Sequence, residues 1–327
     1  MKNVLKAEII VNRHIEPEHT EFGLYLWEQM KSMRNHLFYM LVLSAVILGC
    51  GCAAPAKKTF IASQNRGYDA ETLLSGKTGT PVTYAEMLKD LEDSQIIYIG
   101  ENHTDPVHHR IQLQVIQDLA ALHQTAVGLE MIDHAYQPVL DKWSEGELSE
   151  QAFLEKIQWY ANWRYDFNLY RSIFDTVREK HLPLIGLNLP FHIPPKIAVG
   201  GIDNLLAEDA AHLPQTITLT DPDHRTYIEN IFNMHRLKGR ENFEYFYAAQ
   251  CTWEDSMAEA IARNLNPHKM IVLAGNGHII KKFGIPNRAF SRTQAPFKTL
   301  YLAPVGSPVD LSYGDYIWIT GTEDLKK

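Results

Sequence analysis

Short apolar runs alternate along this chain with segments whose apolar residues recur every third or fourth position. Ile96, Ile97, Tyr98 and Ile99 form one such run and stop at Gly100. Over 105–123, Val107, Ile111, Val115, Leu119 and Leu122 return at three- and four-residue steps, which is one face of a helix. Pro106 suits its first turn and Asp105 its cap. The same pattern predicts strands over 126–131, 182–187, 270–274, 299–303 and 315–320. Helices are expected over 133–143, 147–157, 168–180, 221–236 and 242–265. Thr83, with Glu86 three residues on, reads as the capped start of a helix just before the first strand. Pro194-Pro195 and Gly200-Gly201 predict loops.

Strands and helices in alternation predict an α/β fold: a mixed, mostly parallel sheet with helices on both faces, antiparallel at its C-terminal edge, in a single large domain. Ligands gather outside the carboxyl ends of the strands in such sheets. What closes each apolar run therefore matters most. Glu101, Asn102 and His103 follow the first, Glu130 closes the second, Asn188 the third, and Gly275, Asn276, Gly277 and His278 follow 270–274. Two carboxylates and two imidazoles at such ends suit a divalent transition metal, and the same groups without metal suit general acid and base work. His108 and His109 lie nearby on a helix that can present only one of them to the strand ends.

Two further stretches carry candidate chemistry. Trp159, Tyr160, Trp163, Tyr165, Phe167 and Tyr170 crowd into 159–170, either as core or as the wall of a site for a flat ligand. Over 242–265, Phe243, Phe246, Tyr247, Met257, Ile261 and Leu265 form a stripe at helical spacing, with Gln250 and Glu254 inside it. A polar group on a buried face needs a partner or a purpose.

Composition adds boundaries. With 45% hydrophobic and 21% charged residues, the bulk of the 327-residue chain is expected to fold. A net charge of −8 without a Lys/Arg cluster argues against nucleic acid. Residues 30–36 are basic, 37–48 are apolar, and Gly49-Cys50 follows, the layout of a secretory signal. The run is too short for a comfortable membrane span of about 20 residues. Its ending resembles a bacterial lipobox, in which Cys50 becomes the lipidated first residue of the mature protein. Residues 1–29 then form an extension before the signal at 30–50, and translation is expected to begin at Met30 or Met33. Residues 51–67, small and polar, read as a flexible tether, and 68–327 as the folded domain. Cys50 and Cys52 belong to the lipobox, so Cys251 is alone in the body and no disulfide forms there. The expected location is the bacterial cell envelope, lipid-anchored and facing the periplasm or exterior.

Taken together, the Gly100-Glu101-Asn102-His103 loop with His109, the Gly128-Leu129-Glu130-Met131 strand end with Gln137, and the Gly275-Asn276-Gly277-His278 loop resemble the ChaN family. These are haem-binding bacterial lipoproteins linked to iron uptake, in a superfamily with Tiki, TraB and erythromycin esterase-like proteins. Gln250, Trp253, Glu254, Met257 and Ala258 are similar to a further motif of that family, whose pattern has Asp where this chain has Glu254. The resemblance covers about 86–304. It implies haem at a homodimer interface, iron held by a tyrosine of one subunit and propionates met by a histidine of the other, with an outer-membrane haem receptor as a partner. Tyr165 and Tyr170 are the candidate ligands, followed by Tyr247, a phenolate being a known axial ligand. His103, His109, Gln250 and Glu254 complete the implied haem-binding set. The wider superfamily implies an alternative, a metal-dependent hydrolase of Tiki-like or esterase-like kind, using Glu101, His103, Glu130 and His278.

Overall fold

A computed structural model describes residues 57–234, 239–265 and 268–322. The signal, Cys50 and the first six residues of the tether, 51–56, lie outside the described residues. In chain order the main elements are β1 (Thr59–Ile61), β2 (Arg66–Tyr68), β3 (Thr72–Ser75), α1 (Tyr84–Leu91), β4 (Ile96–Glu101), α2 (Pro106–Leu122), β5 (Thr125–Asp133), α3 (Gln137–Ser144), α4 (Glu150–Lys156), α5 (Arg171–Glu179), β6 (Leu184–Asn188), α6 (Ile193–Gly200), α7 (Pro222–Met234), α8 (Phe243–Asn264), β7 (Lys269–Gly275), α9 (Ile285–Thr293), β8 (Phe297–Pro304) and β9 (Tyr316–Thr320). No helix among the described residues is long and apolar enough to cross a membrane.

β3 to β9 form a seven-stranded sheet in the order β3-β9-β8-β4-β7-β5-β6. All neighbours from β9 to β6 run parallel, and β3 alone is antiparallel. The site depends on one feature of this order. β7 inserts between β4 and β5, with Glu101 opposite Gly275, so loops far apart in sequence open side by side at the carboxyl ends.

Side-chain alternation along the strands gives each face its own core. Ile97, Ile99, Val127, Leu129, Ile271 and Leu273 pack with residues of α2 to α5. Ile96, Tyr98, Ala126, Met270, Val272 and Ala274 face Met257, Ala258 and Ile261 of α8 and Ile285 and Ala289 of α9. The aromatic stretch divides: Trp159, Phe167 and Tyr170 are fully buried and join Phe174 in edge and tilted ring contacts 5.1 to 5.7 Å apart. Such pairs add about 0.5–1.5 kcal/mol each beyond the area they bury.

Local chemistry sets the helix starts. Thr83 and Glu86 form the expected capping box on α1, Asp105 caps α2 with Pro106 behind it, and Asn242 caps α8. Three expectations need correction. Residues 59–67, read as tether, join Tyr68 in the β1–β2 hairpin, which buries Ile61 and Tyr68 against Leu74, Ile317 and Ile319. The antiparallel strand is the N-terminal β3, and the C-terminal β9 runs parallel to β8. Pro194 and Pro195 lie in the first turn of α6, where a missing N–H costs no hydrogen bond, so they begin a helix rather than a loop.

Gln137 does structural work at the sheet margin. Its Nε2 donates to Leu184 O at 2.8 Å and its Oε1 accepts from Gly186 N at 3.0 Å, while His134 Nδ1 donates to Asn188 O at 2.8 Å. Two side chains thus occupy three outer backbone groups of the edge strand β6, which would otherwise be open to another strand.

Candidate functional site

The β4 and β7 loops meet at the carboxyl end of the sheet and bring Glu101, His103, Glu130 and His278 around Gly275. A Cβ added at Gly275 would meet His103 Cε1 at 3.0 Å and Glu130 Oε2 at 3.5 Å, so the bare glycine is what lets these groups approach.

Glu101 is buried and saturated with donors. Tyr170 Oη donates to its Oε1 at 2.5 Å, His103 Nδ1 lies 2.8 Å from the same oxygen, and Gln112 Nε2 donates to Oε2 at 2.8 Å. His109 Nδ1 stands 3.6 Å from Oε2, and its Nε2 lies 3.2 Å from His103 O. Burial opposes the charge, but the His103 bond, the nearby imidazoles and Tyr170 hold the Glu101 pKa below the usual carboxylate range. Glu101 therefore orients His103: Nδ1 is turned to the carboxylate and Nε2 to the cleft. His103 is partly exposed, its side chain at 27%, with the rings of Trp163 and Tyr165 at 4.7 and 5.2 Å. Burial lowers its pKa, but Glu101 and Glu130 more than offset that, leaving it raised.

His278 stands between two carboxylates. Its Nε2 is 3.3 Å from Glu130 Oε1, its Nδ1 is 3.3 Å from Glu254 Oε1, and the Trp253 ring packs edge-on at 5.0 Å. Against the cost of burial, Glu130 and Glu254 raise its pKa to about 10, so the ring is a cation at neutral pH. Glu130 also accepts from Gly275 N at 2.5 Å; burial raises its pKa, while His278, His103 and this backbone bond bring it down to about 2.

Behind His278, Glu254 is fully buried. Gln250 Nε2 donates to its Oε1 at 2.8 Å, and its Oε2 faces His224 Nε2 at 3.1 Å and Arg288 Nε at 3.3 Å. These last two are close polar contacts whose geometry falls short of hydrogen bonds. Arg288 also grips Asp255 and donates to Cys251 Sγ at 3.1 Å. Desolvation pushes the Cys251 thiol up to about 12, which leaves it unreactive.

The other predicted residues have structural places. His108 is buried, accepts from Asn102 N at 2.9 Å and meets Thr320 Oγ1 at 3.1 Å, pinning the β4 loop to β9; burial lowers its pKa to about 4. Asn188 is buried, donating to Glu130 O at 2.8 Å. Tyr170 is buried with its hydroxyl on Glu101, and burial together with that carboxylate raises its pKa. Tyr247 is buried, donating to Asp221 O at 3.2 Å. Tyr165 is half-buried, and its hydroxyl makes no hydrogen bond among the described residues. Of the tyrosines expected as ligands, it alone can turn its oxygen to a group in the cleft without breaking an existing bond. Among the described residues no set of three or more His, Cys, Asp or Glu side chains is arranged to hold a metal ion.

His224 and Arg288 were not anticipated. His224 lies four residues before the buried Ile228, and Arg288 three after the buried Ile285. A polar residue in phase with a buried helical stripe is the signal that marked Gln250 and Glu254, and it was present here too.

A mostly parallel sheet, covered on both faces, with an imidazole–carboxylate cleft at its carboxyl ends, defines an α/β protein whose candidate site lies where ligands of such folds gather. Residues 87–289 match the model of a family described as haem-binding uptake, Tiki superfamily, ChaN. The chain belongs to that family. Among solved structures it is similar to ChaN of Campylobacter jejuni, described as binding haem cofacially, at 20% identity and a TM-score of 0.61, over 75% of this chain and 95% of that one. An erythromycin esterase, EreC, in an open conformation matches at 14% identity and a TM-score of 0.43, over 72% and 76%. The type III effector HopBA1 matches at 14% and 0.42, over 73% and 92%. No curated protein sequence matches significantly.

Proposed function

We propose that this protein is a lipid-anchored, haem-binding protein of the bacterial cell envelope that serves haem or iron uptake, holding haem between two copies. Family membership supports haem as the ligand. One observation carries the finer reading: the open side of the cleft presents Tyr165, with its unengaged phenol, 5.2 Å from the His103 ring, while the groups behind are locked in ion pairs. An oxygen ligand and an imidazole beside aromatic walls fit the two ends of haem, its iron and its propionates. Tyr165 of one copy takes the iron, and His103 of the other, its pKa raised by Glu101 and Glu130, meets a propionate. Haem supplies the iron centre; the chain supplies the phenol oxygen, the imidazole and the aromatic surround. His109, Gln250 and Glu254 act through the residues they hold.

Titrating hemin into the protein and following the Soret band tests this. Tyr165→Phe is expected to weaken binding at least about tenfold and abolish the phenolate charge-transfer band, a change of about 1.4 kcal/mol or more, while Tyr247→Phe leaves both unchanged. A Tyr165→Phe protein with the parent spectrum would remove Tyr165 from the iron.

A second reading, hydrolysis, has its own observation. His103 turns Nε2 to the cleft from a fixed carboxylate, and the cationic His278 stands on the far side of Glu130. A base and a fixed positive charge are what water attack on an ester or amide requires, with or without a bound divalent metal. Turnover of simple aryl esters that falls at least about a hundredfold in His103→Ala supports it. Turnover unaffected by that change excludes it.

A further inference from the structure

The chain enters the fold at the end that bears the cleft. Lys57 lies against Gly306, where an added Cβ would meet its Cδ at 2.7 Å, and Gly306 N donates to Thr59 Oγ1 at 2.7 Å. Gly306 directly follows the carboxyl end of β8, and Leu302 near that end accepts from Asn276 of the cleft loop at 2.8 Å. From this corner β1 descends the flank of the sheet, with Ile61 turned inward and Phe60 turned out, 56% exposed. Lys58 and Arg66 beside it are exposed as well, Lys58 in an exposed ion pair with Asp69 at 2.9 Å.

This entry point limits how an anchored body can stand. Seven residues lead from Cys50 to Lys57, and fully extended they span at most about 25 Å. A compact domain of this size is roughly 45 Å across. Standing on its opposite end, the body would lift Lys57 beyond the reach of its own tether. The geometry points to a body held with the carboxyl ends of its strands toward the bilayer, Phe60 and the basic hairpin residues against the lipid, and the cleft exchanging its ligand at the membrane surface. An exposed aromatic ring beside basic side chains suits the headgroup layer of an anionic bilayer. This inference rests on the reading of Cys50 as the lipidated residue.

The test is backbone hydrogen exchange of the full lipidated protein on phosphatidylethanolamine–phosphatidylglycerol vesicles. The native tether is compared with one lengthened before Lys57 by a Gly-Ser insertion as long as the body is wide, and with Phe60→Ser. On the native tether, exchange over 59–68 and 102–105 is expected to be severalfold slower than on the long one, with Phe60→Ser in between. Residues 92–95 and 181–183, at the opposite end, are expected to exchange alike in all three. Slow exchange at the cleft end that ignores tether length would report contact between copies and overturn the orientation, as would protection at the opposite end. Protein that fails to float with the vesicles would overturn the anchor, and the orientation with it. Protein that floats without any difference between tethers would overturn the orientation alone.

Discussion

Replacing Glu254 with alanine is expected to lower unfolding stability by about 3–5 kcal/mol, the usual loss when one partner of a buried ion pair is removed. The carboxylate is fully buried and faces His278, His224 and Arg288, which are themselves buried. Gln250 loses its acceptor at the same time. Glu254→Gln, which keeps the shape and one acceptor but not the charge, should cost roughly half as much, because much of the penalty is uncompensated positive charge. Urea midpoints at neutral pH measure both. A loss under about 1 kcal/mol in the alanine variant would mean that the cluster rehydrates and that its charges are not mutually dependent.

Stability is also expected to peak near pH 6.5 and fall on both sides, for separable reasons. His278 has a folded pKa of about 10 against an ordinary 6.5. A raised histidine stabilises fully below its unfolded pKa, and the contribution drains away as pH rises toward 10. At 1.36 kcal/mol per unit the alkaline limb amounts to several kcal/mol, with His103 adding in the same direction. The acid limb has two origins. His108 is neutral in the fold, its pKa lowered to about 4, so stability falls as pH drops from about 6.5 toward 4 while the unfolded chain takes up a proton. Glu130, lowered to about 2, stabilises above about pH 4.5 and loses that contribution as pH falls toward 2. Midpoints across this range in His278→Gln decide the assignment. If the alkaline limb keeps its slope without the imidazole, His278 is not its source.

Much of the site was legible because strand ends advertise it. Glu101, His103, Glu130 and His278 each follow an apolar run, and the rule that ligands meet the carboxyl ends picked them from a chain holding 15 histidines. What local pattern could not supply was the strand order. Nothing within 270–274 says that it inserts between its two predecessors, and that insertion places His278 on Glu130. Tyr170 was grouped with Tyr165 by composition, although its spacing separates them. It precedes Ile173, Phe174 and Val177 at three, four and seven residues, in phase with the buried stripe of α5, so its ring belongs to the core. The β1–β2 hairpin escaped notice because its three-residue strands are too short for any period to emerge.

The sheet margins limit the ways in which copies of this protein could pair. Gln137 and His134 occupy the outer side of β6, and on the opposite margin Ser75 N donates to Thr80 O at 3.0 Å and Val82 N to Leu73 O at 2.9 Å, with Pro81 bridging to Leu74. Neither border strand offers a free ladder to a neighbour. Growth of the seven-stranded sheet from one molecule into the next is disfavoured at both borders, so any association across those borders would run through side chains. A surface of that kind can be reversible and can depend on what lies between the two copies.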